Sequence, residues 1–268
     1  APTQESQWTD TVILAENPDG TGNRLELGRF THQGALEIDQ TYTATQTYDL
    51  SPAARGMYVI VETGAGVFEG SLVDNNTAIA MTDVSNAPAD FVVTSVDPDA
   101  QGFSGESINV SYTVLNQGAD VWDGTQYWND VVFVSPDAQF IATRATLLGQ
   151  VTHDNAAGLA NGESYTGTGQ FTLPRGIGGD YYIHVFVNAG ATVEDATGRN
   201  TNNRESFRGR AFETPGNNAG DALLPVIYRE PDLVVSTLTP PAVTPTAGQT
   251  IPVTWTVTND GTRATRET

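Results

Sequence analysis

The chain has 268 residues, room for one large or two ordinary domains with a sizeable core, and no cysteine, so disulfide staples and thiol chemistry are excluded. Its 32 acidic residues face 12 basic ones, every one of them Arg, and the formal net charge of −20 repels nucleic acid and anionic lipid head groups. No apolar run approaches the roughly 20 residues of a membrane span.

Taken in order, the elements read as strands separated by turns. The first stretch, "SQWTDTVILAENPDG" at 6–20, holds Trp8 and Asp10, a short apolar run and the turn Asn-Pro-Asp-Gly. "MYVIVET" at 57–63 and "YYIHVFV" at 181–187 are near-continuous apolar or aromatic runs, as deeply buried strands require. Ile108, Val110, Tyr112 and Val114 alternate with Asn109, Ser111 and Thr113, which places one apolar face on a core. Ile251, Val253, Trp255 and Val257 alternate in the same way against Pro252, Thr254 and Thr256. Pro252 cannot donate to a ladder, so its amide position must face outward or lie at an edge. Many short strands without interleaved helices predict an all-β chain of tandem antiparallel sandwiches.

Internal repeats organise these strands. Residues 8–78 match residues 128–206: Trp8 and Asp10 meet Trp128 and Asp130, Gly28 meets Gly149, His32 meets His153, Tyr42 meets Tyr165 and Leu50 meets Leu173. A second match covers the beginnings: "ADFVVTSV" from Ala89 with "PDLVVSTL" from Pro231, and "GESINVSYTVLNQG" from Gly105 with "GQTIPVTWTVTNDG" from Gly248. The expected division is therefore 1–88, the later part of an incomplete repeat; 89–230, a complete repeat with a long tail that adds a strand or covers an edge; and 231–268, the opening strands of a further repeat.

These motifs in this order (PDLVV, VxWTVxNxG, WxDxV, Leu-Gly before His, GESYT, TLP and YY) resemble the bacterial cell-adhesion-related domain, CARDB. Residues 89–206 carry nearly the whole pattern. The resemblance implies an immunoglobulin-like β-sandwich found in tandem in secreted or surface proteins, an extracellular or cell-surface location, and no defined catalytic residues.

No nucleophile elbow, zinc-ligand spacing, phosphate loop or dinucleotide fingerprint occurs, and the expected function is not enzymatic. His32 and His153 are repeat-equivalent and read as framework; His184 faces Ile60 in the other repeat, which argues against a ligand role. Carboxylates offer Ca²⁺ as a candidate cofactor, because Ca²⁺ takes six to eight oxygen ligands from adjacent loops. The candidates are Glu16, Asn17 and Asp19; then Glu69, Asp74, Asn75 and Asn76; then Glu194, Asp195, Asn202 and Asn203, with Asn200 beside them. Structural turns held by Asn and Asp side chains are the competing account of the same residues. Trp122 and Tyr127, lacking counterparts in the first repeat, are the candidate ligand surface, with polysaccharide the candidate partner.

The leading functional expectation is a structural repeat of a surface protein, adhesin stalk or filament. Its partners are copies of itself or adjacent repeats, joined head-to-tail by an assembly strand holding Ile251, Val253, Trp255 and Val257. Neighbouring sequence in a longer array, or fold-back within one chain, are the other ways to complete the first repeat. A carbohydrate- or protein-binding accessory module of a secreted protein is the alternative function.

Overall fold

The computed structural model describes residues 5–189 and 204–265. Strands β1 (Gln7–Ala15), β2 (Arg24–Gln33), β3 (Gly56–Ala65) and β4 (Thr77–Val84) form one antiparallel sheet in the order β2-β1-β3-β4. The central region contributes β5 (Phe91–Pro98), β6 (Gly102–Phe103), β7 (Ser107–Asn116), β8 (Tyr127–Ser135), β9 (Thr146–Asp154), β10 (Ser164–Thr172), β11 (Gly179–Phe186) and β12 (Ala219–Ile227). A three-stranded sheet, β10-β7-β5, packs on a five-stranded one, β6-β12-β11-β8-β9, in which only β6 runs parallel to its neighbour. Last come β13 (Leu233–Thr239) and β14 (Thr254–Asn259), paired as an antiparallel hairpin.

The period of two explains the central core. Ile108, Val110, Tyr112 and Val114 of β7 are all buried, against Trp128, Val132 and Val134 of β8 and Ile183 and Val185 of β11. Each such side chain removed from water contributes about 1.5–3 kcal/mol. This is an all-β, immunoglobulin-like sandwich. The long tail supplies a strand, as its sequence allows: β12 runs along β11 from Phe186↔Ala219 to Gly179↔Val226.

The first sheet repeats four strands of the five-stranded one, all but β6. Trp8 opposes His32 as Trp128 opposes His153, and a β-bulge falls between Val12 and Ile13 as one falls between Val132 and Phe133. Ile13 pairs with Ile60 where Phe133 pairs with His184, so β3 is the counterpart of β11 and β4 of β12. The terminal hairpin repeats β5–β7 with the same fidelity. Leu233 faces Asn259 as Phe91 faces Asn116, Leu238 faces Trp255 as Val96 faces Tyr112, and both hairpins carry a bulge two residues after that first pair.

One counterpart is not a strand. Residues 41–50 align with β10, yet no ladder includes them. β10 exists because β7 pairs with all nine of its residues. Backbone amides and carbonyls form a strand only where a neighbour satisfies them, and among the described residues no β7 equivalent lies beside 41–50.

The two partial repeats meet the central sandwich at different ends. Arg204 Nη1 donates to Leu50 O at 2.8 Å, close to where Gln126 N donates to Arg208 O. At the far ends of the same strands, Arg263 Nη1 donates to Ser104 O at 3.0 Å and pairs with Glu106 at 3.2 Å. Glu230 accepts there from Gly176 N at 3.0 Å and from the Ser104 hydroxyl.

An asparagine closes both hairpins. Buried Asn116 accepts through Oδ1 from Asp90 N and Gly118 N, both at 3.1 Å, and donates through Nδ2 to Ala119 O and Leu159 O. Asn259 accepts from Asp232 N at 2.9 Å and Gly261 N at 3.1 Å in the same arrangement. Asn116→Ala removes four hydrogen bonds, three of them part-buried, although Leu159 O keeps the bond from Val121 N, and the expected cost is about 2–4 kcal/mol in central-domain stability. Urea unfolding followed by Trp128 fluorescence checks this; a change within 0.5 kcal/mol, an order-of-magnitude threshold for a neutral substitution, contradicts it.

Candidate functional site

The structure concentrates its polar chemistry at one repeated position, where a carboxylate sits on the core-facing side of a strand. Asp10 of β1 and Asp130 of β8 share the parity of Trp8 and Trp128; Asp130 points between the two central sheets, Asp10 lies on the corresponding face of the first sheet, and both are buried. Asp130 Oδ2 accepts from Tyr112 OH and from Tyr165 OH, each at 2.8 Å, and Oδ1 accepts from Asn188 N at 2.9 Å. Trp128 Nε1 donates to Tyr165 OH at 3.0 Å, and the His153 ring lies between the two, 4.4 Å and 3.9 Å from their centroids.

Burial raises the Asp130 carboxyl above its ordinary range, while the bonds from Asn188, Tyr165 and Tyr112 pull it back. Burial and the carboxylate charge push both tyrosines well above theirs, so they remain hydroxyl donors. Burial also lowers the His153 ring, which favours its neutral form. A fully enclosed carboxylate with three donors anchors one sheet to the other; it has no opening for a substrate.

The first repeat holds most of the same constellation. Trp8 Nε1 donates to Tyr42 OH at 3.1 Å, and Tyr42 OH donates to Asp10 Oδ2 at 2.6 Å. His32 stacks between the two rings, 4.1 Å from each, and its Nε2 meets Gly34 O at 3.0 Å. Thr63 Oγ1 donates to Asp10 Oδ1 at 2.5 Å, in place of the Asn188 amide. The Tyr112 position has its counterpart in Trp255, on the terminal hairpin.

That hairpin carries the expected assembly strand with its apolar side chains in the open. Ile251, Val253, Trp255 and Val257 are all exposed, and Trp255 is 60% exposed where Tyr112 is 0%. Leu233, Val235 and Leu238 on β13 are exposed too, Leu233 at 60% against 0% for Phe91. Across the first sheet, Val61 is 37% exposed where Val185 is 0%. The contiguous apolar surface on the hairpin is of a kind that marks an interaction site.

The remaining expected residues are placed as follows. Glu69 Oε1 and Asn76 Nδ2 converge over Gly64, each within 3 Å of where a Cβ there would stand. Asp74 and Asn75 form a 3₁₀ turn, Val73–Asn75, between them. Asp19 Oδ1 accepts from Thr21 N and Oγ1, and Glu16 Oε2 accepts from Asn23 N, so these carboxylates close a turn. Glu194, Asp195, Asn200, Asn202 and Asn203 lie outside the described residues. Among the described residues no three His, Asp or Glu side chains gather as a metal-binding group. His184 Nε2 meets Asp137 O at 3.0 Å within an aromatic cluster with Phe140. Trp122 packs on Gly124 and lies 4.9 Å beneath the Arg204 guanidinium, while Tyr127 is 43% exposed with its ring against Gly209.

The sequence pairs Trp8-Thr-Asp10 with Trp128-Asn-Asp130 and Tyr42 with Tyr165, but the convergence of these residues on one buried carboxylate was not foreseen. The signal was present: an acidic residue at the same strand parity as a tryptophan and two valines.

The fold and this site define an immunoglobulin-like sandwich module. The CARDB family model matches residues 88–207, which supports a CARDB-type domain in that part of the chain. Among solved structures, the CARDB domain of a Pyrococcus furiosus protein, in complex with di-metal ions, is 14% identical, with 54% of this chain and 99% of that chain covered and a TM-score of 0.32. A β-glucosidase from Listeria innocua in complex with glucose is 12% identical over 54% of this chain, with a TM-score of 0.28. A GH3 β-glucosidase from Bifidobacterium adolescentis is 16% identical over 51%, with a TM-score of 0.27. The chain spans 17% of the length of each glucosidase. No match is found among curated proteins. No helix among the described residues is long and apolar enough to cross a membrane.

One further carboxylate makes a pH prediction. Glu213 bridges the tail to β5: Oε1 accepts from Asn188 Nδ2 at 2.6 Å and Oε2 from Phe91 N at 3.4 Å. Burial pushes it up to about 8, against the pull of these bonds. A carboxyl raised on folding binds its proton more tightly in the folded state, so stability falls as pH rises from the ordinary range, 4.5, to about 8, and levels off above. Urea midpoints across pH 5–9 are expected to decline for the wild type and to flatten for Glu213→Gln; parallel curves contradict the assignment. In the same assay Asp130→Ala is expected to cost about 3 kcal/mol or more, since three buried donors lose their acceptor.

Proposed function

We propose that the chain is a structural repeat of an extracellular or cell-surface array, built head-to-tail by strand complementation. The observation that carries this reading is the pair of complementary half-sandwiches flanking a complete one. The first sheet has four of the five strands of the five-stranded layer, and the hairpin β13–β14 has the register and bulge of β5–β7, with its apolar residues uncovered. Two incomplete layers that match the two halves of the central sandwich within the same chain form a natural donor and acceptor. Repeating that contact from one molecule to the next is a heterologous interface, which propagates as a filament. The acidic surface keeps such an array soluble.

The mechanism is mechanical. Each sandwich sets a length, and the joint at Glu106, Arg229 and Arg263 fixes the angle at which the hairpin leaves the central domain. The Ca²⁺ expected at Glu69, Asp74, Asn75 and Asn76 would stiffen the loop that joins β3 to β4, where Glu69 and Asn76 already converge.

Sedimentation velocity of the full chain and of a variant ending at Glu230 tests the reading. The full chain is expected to show concentration-dependent species larger than a monomer, and the shortened variant a monomer only. A full chain that stays monomeric at every concentration overturns it. Strand pairing also predicts that chelation of divalent cations leaves the association unchanged; dissociation by chelator would assign the joint to metal instead.

A further inference from the structure

We infer that residues 41–50 form a strand on β14 of a second copy of this chain, with Tyr42 opposite Val257 and Tyr48 opposite Ile251. The inference rests on the complementation reading and specifies its register.

The central domain is the template. There β10 pairs with β7 along its whole length, Tyr165 opposite Val114 and Phe171 opposite Ile108. The repeat equates Tyr165 with Tyr42 and Phe171 with Tyr48, and equates Val114 with Val257 and Ile108 with Ile251.

Both anchors of the segment already occupy the positions that β10 uses. Tyr42 takes the hydrogen bond of Trp8 and gives its own to Asp10, as Tyr165 does with Trp128 and Asp130. Tyr48 lies over Gly28 as Phe171 lies over Gly149, so that a Cβ at either glycine would stand about 3 Å from the ring. Between these anchors the backbone runs outside any ladder.

β14 is equally prepared to receive it. The tightest objection is Pro252, which lacks an N–H. Its counterpart is Asn109, whose amide donates to the Asp99 side chain at 2.9 Å on the β5 side and not to β10. A proline there removes nothing from the ladder on which residues 41–50 would pair. The hairpin is held in shape without its partner, through Asn259 at its open end and the bond from Asp260 N to Asp232 O at 2.7 Å. Asp10 adds a reason for the second copy to bind: its counterpart Asp130 accepts from the β7 side chain Tyr112, and the residue at that place on the incoming strand is Trp255, an N–H donor.

The register is testable because the chain has no cysteine. Thr45 and Thr254 correspond to Thr168 and Ser111, which face each other across β10 and β7. The Asn109 amide points toward β5, so residues of the same parity on β7 form the non-hydrogen-bonded pairs with β10. Such pairs bring their Cα atoms close enough for a disulfide.

The experiment mixes Thr45→Cys chains with Thr254→Cys chains under mild oxidation and reads non-reducing gels beside sedimentation of the wild type. A two-chain product is expected, about tenfold stronger than from Thr45→Cys mixed with Thr258→Cys, because four residues along a strand is roughly 13 Å. A Thr45→Cys/Thr254→Cys double variant is expected to give a ladder. Equal yields from the two mixtures, with the wild type still self-associating, overturn the register and leave complementation standing. A monomeric wild type with no cross-link overturns both. A fast-migrating monomer with an internal disulfide in the double variant overturns the second copy in favour of fold-back.

Discussion

A buried carboxylate ties the two layers of the central sandwich together. Asp130 stands on the five-stranded sheet, and its two tyrosine donors, Tyr112 and Tyr165, come from the two neighbouring strands of the opposite sheet. An enclosed charge is costly unless several donors meet it, so the site fixes where β7 and β10 lie over β8. The tryptophan, the histidine and the paired tyrosine around it complete a polar knot inside an otherwise apolar core.

The same knot, short of one strand, explains the first repeat. Asp10, Trp8, His32 and Tyr42 keep their mutual contacts, and the sheet that carries them keeps its register. The residue at the Tyr112 position is on a hairpin that leaves the opposite end of the central domain. What covers an immunoglobulin-like half from within, in the middle of this chain, is thus separated from the outer half it matches. A sheet face and a strand edge left uncovered are the usual preconditions for pairing with another chain.

Much of this was legible in residues. The alternation from Ile108 to Val114 named a strand and its buried face, and the internal repeat anticipated the registers that β1–β2 share with β8–β9 and β13–β14 with β5–β7. The equivalence of Ile60 with His184 was visible from alignment of the repeats and holds in the strand pairing. Other features depended on neighbours in space. Residues 41–50 match β10 in sequence, yet a strand is a property of two segments, and among the described residues none pairs with 41–50. Trp122 reads as a free aromatic because no sequence pattern announces that Arg204 and Gly124 pack on its ring. The carboxylate knot was hidden because its members are spread from β7 to the loop after β11.

The central claim is that residues 41–50 and β14 cover each other in the assembled state. Hydrogen–deuterium exchange of the wild-type chain at rising protein concentration addresses it directly. Protection of amides in 41–50 and in 254–259 is expected to increase together, while that of β7 and β10 stays constant. Exchange in both segments that does not change with concentration would contradict the account.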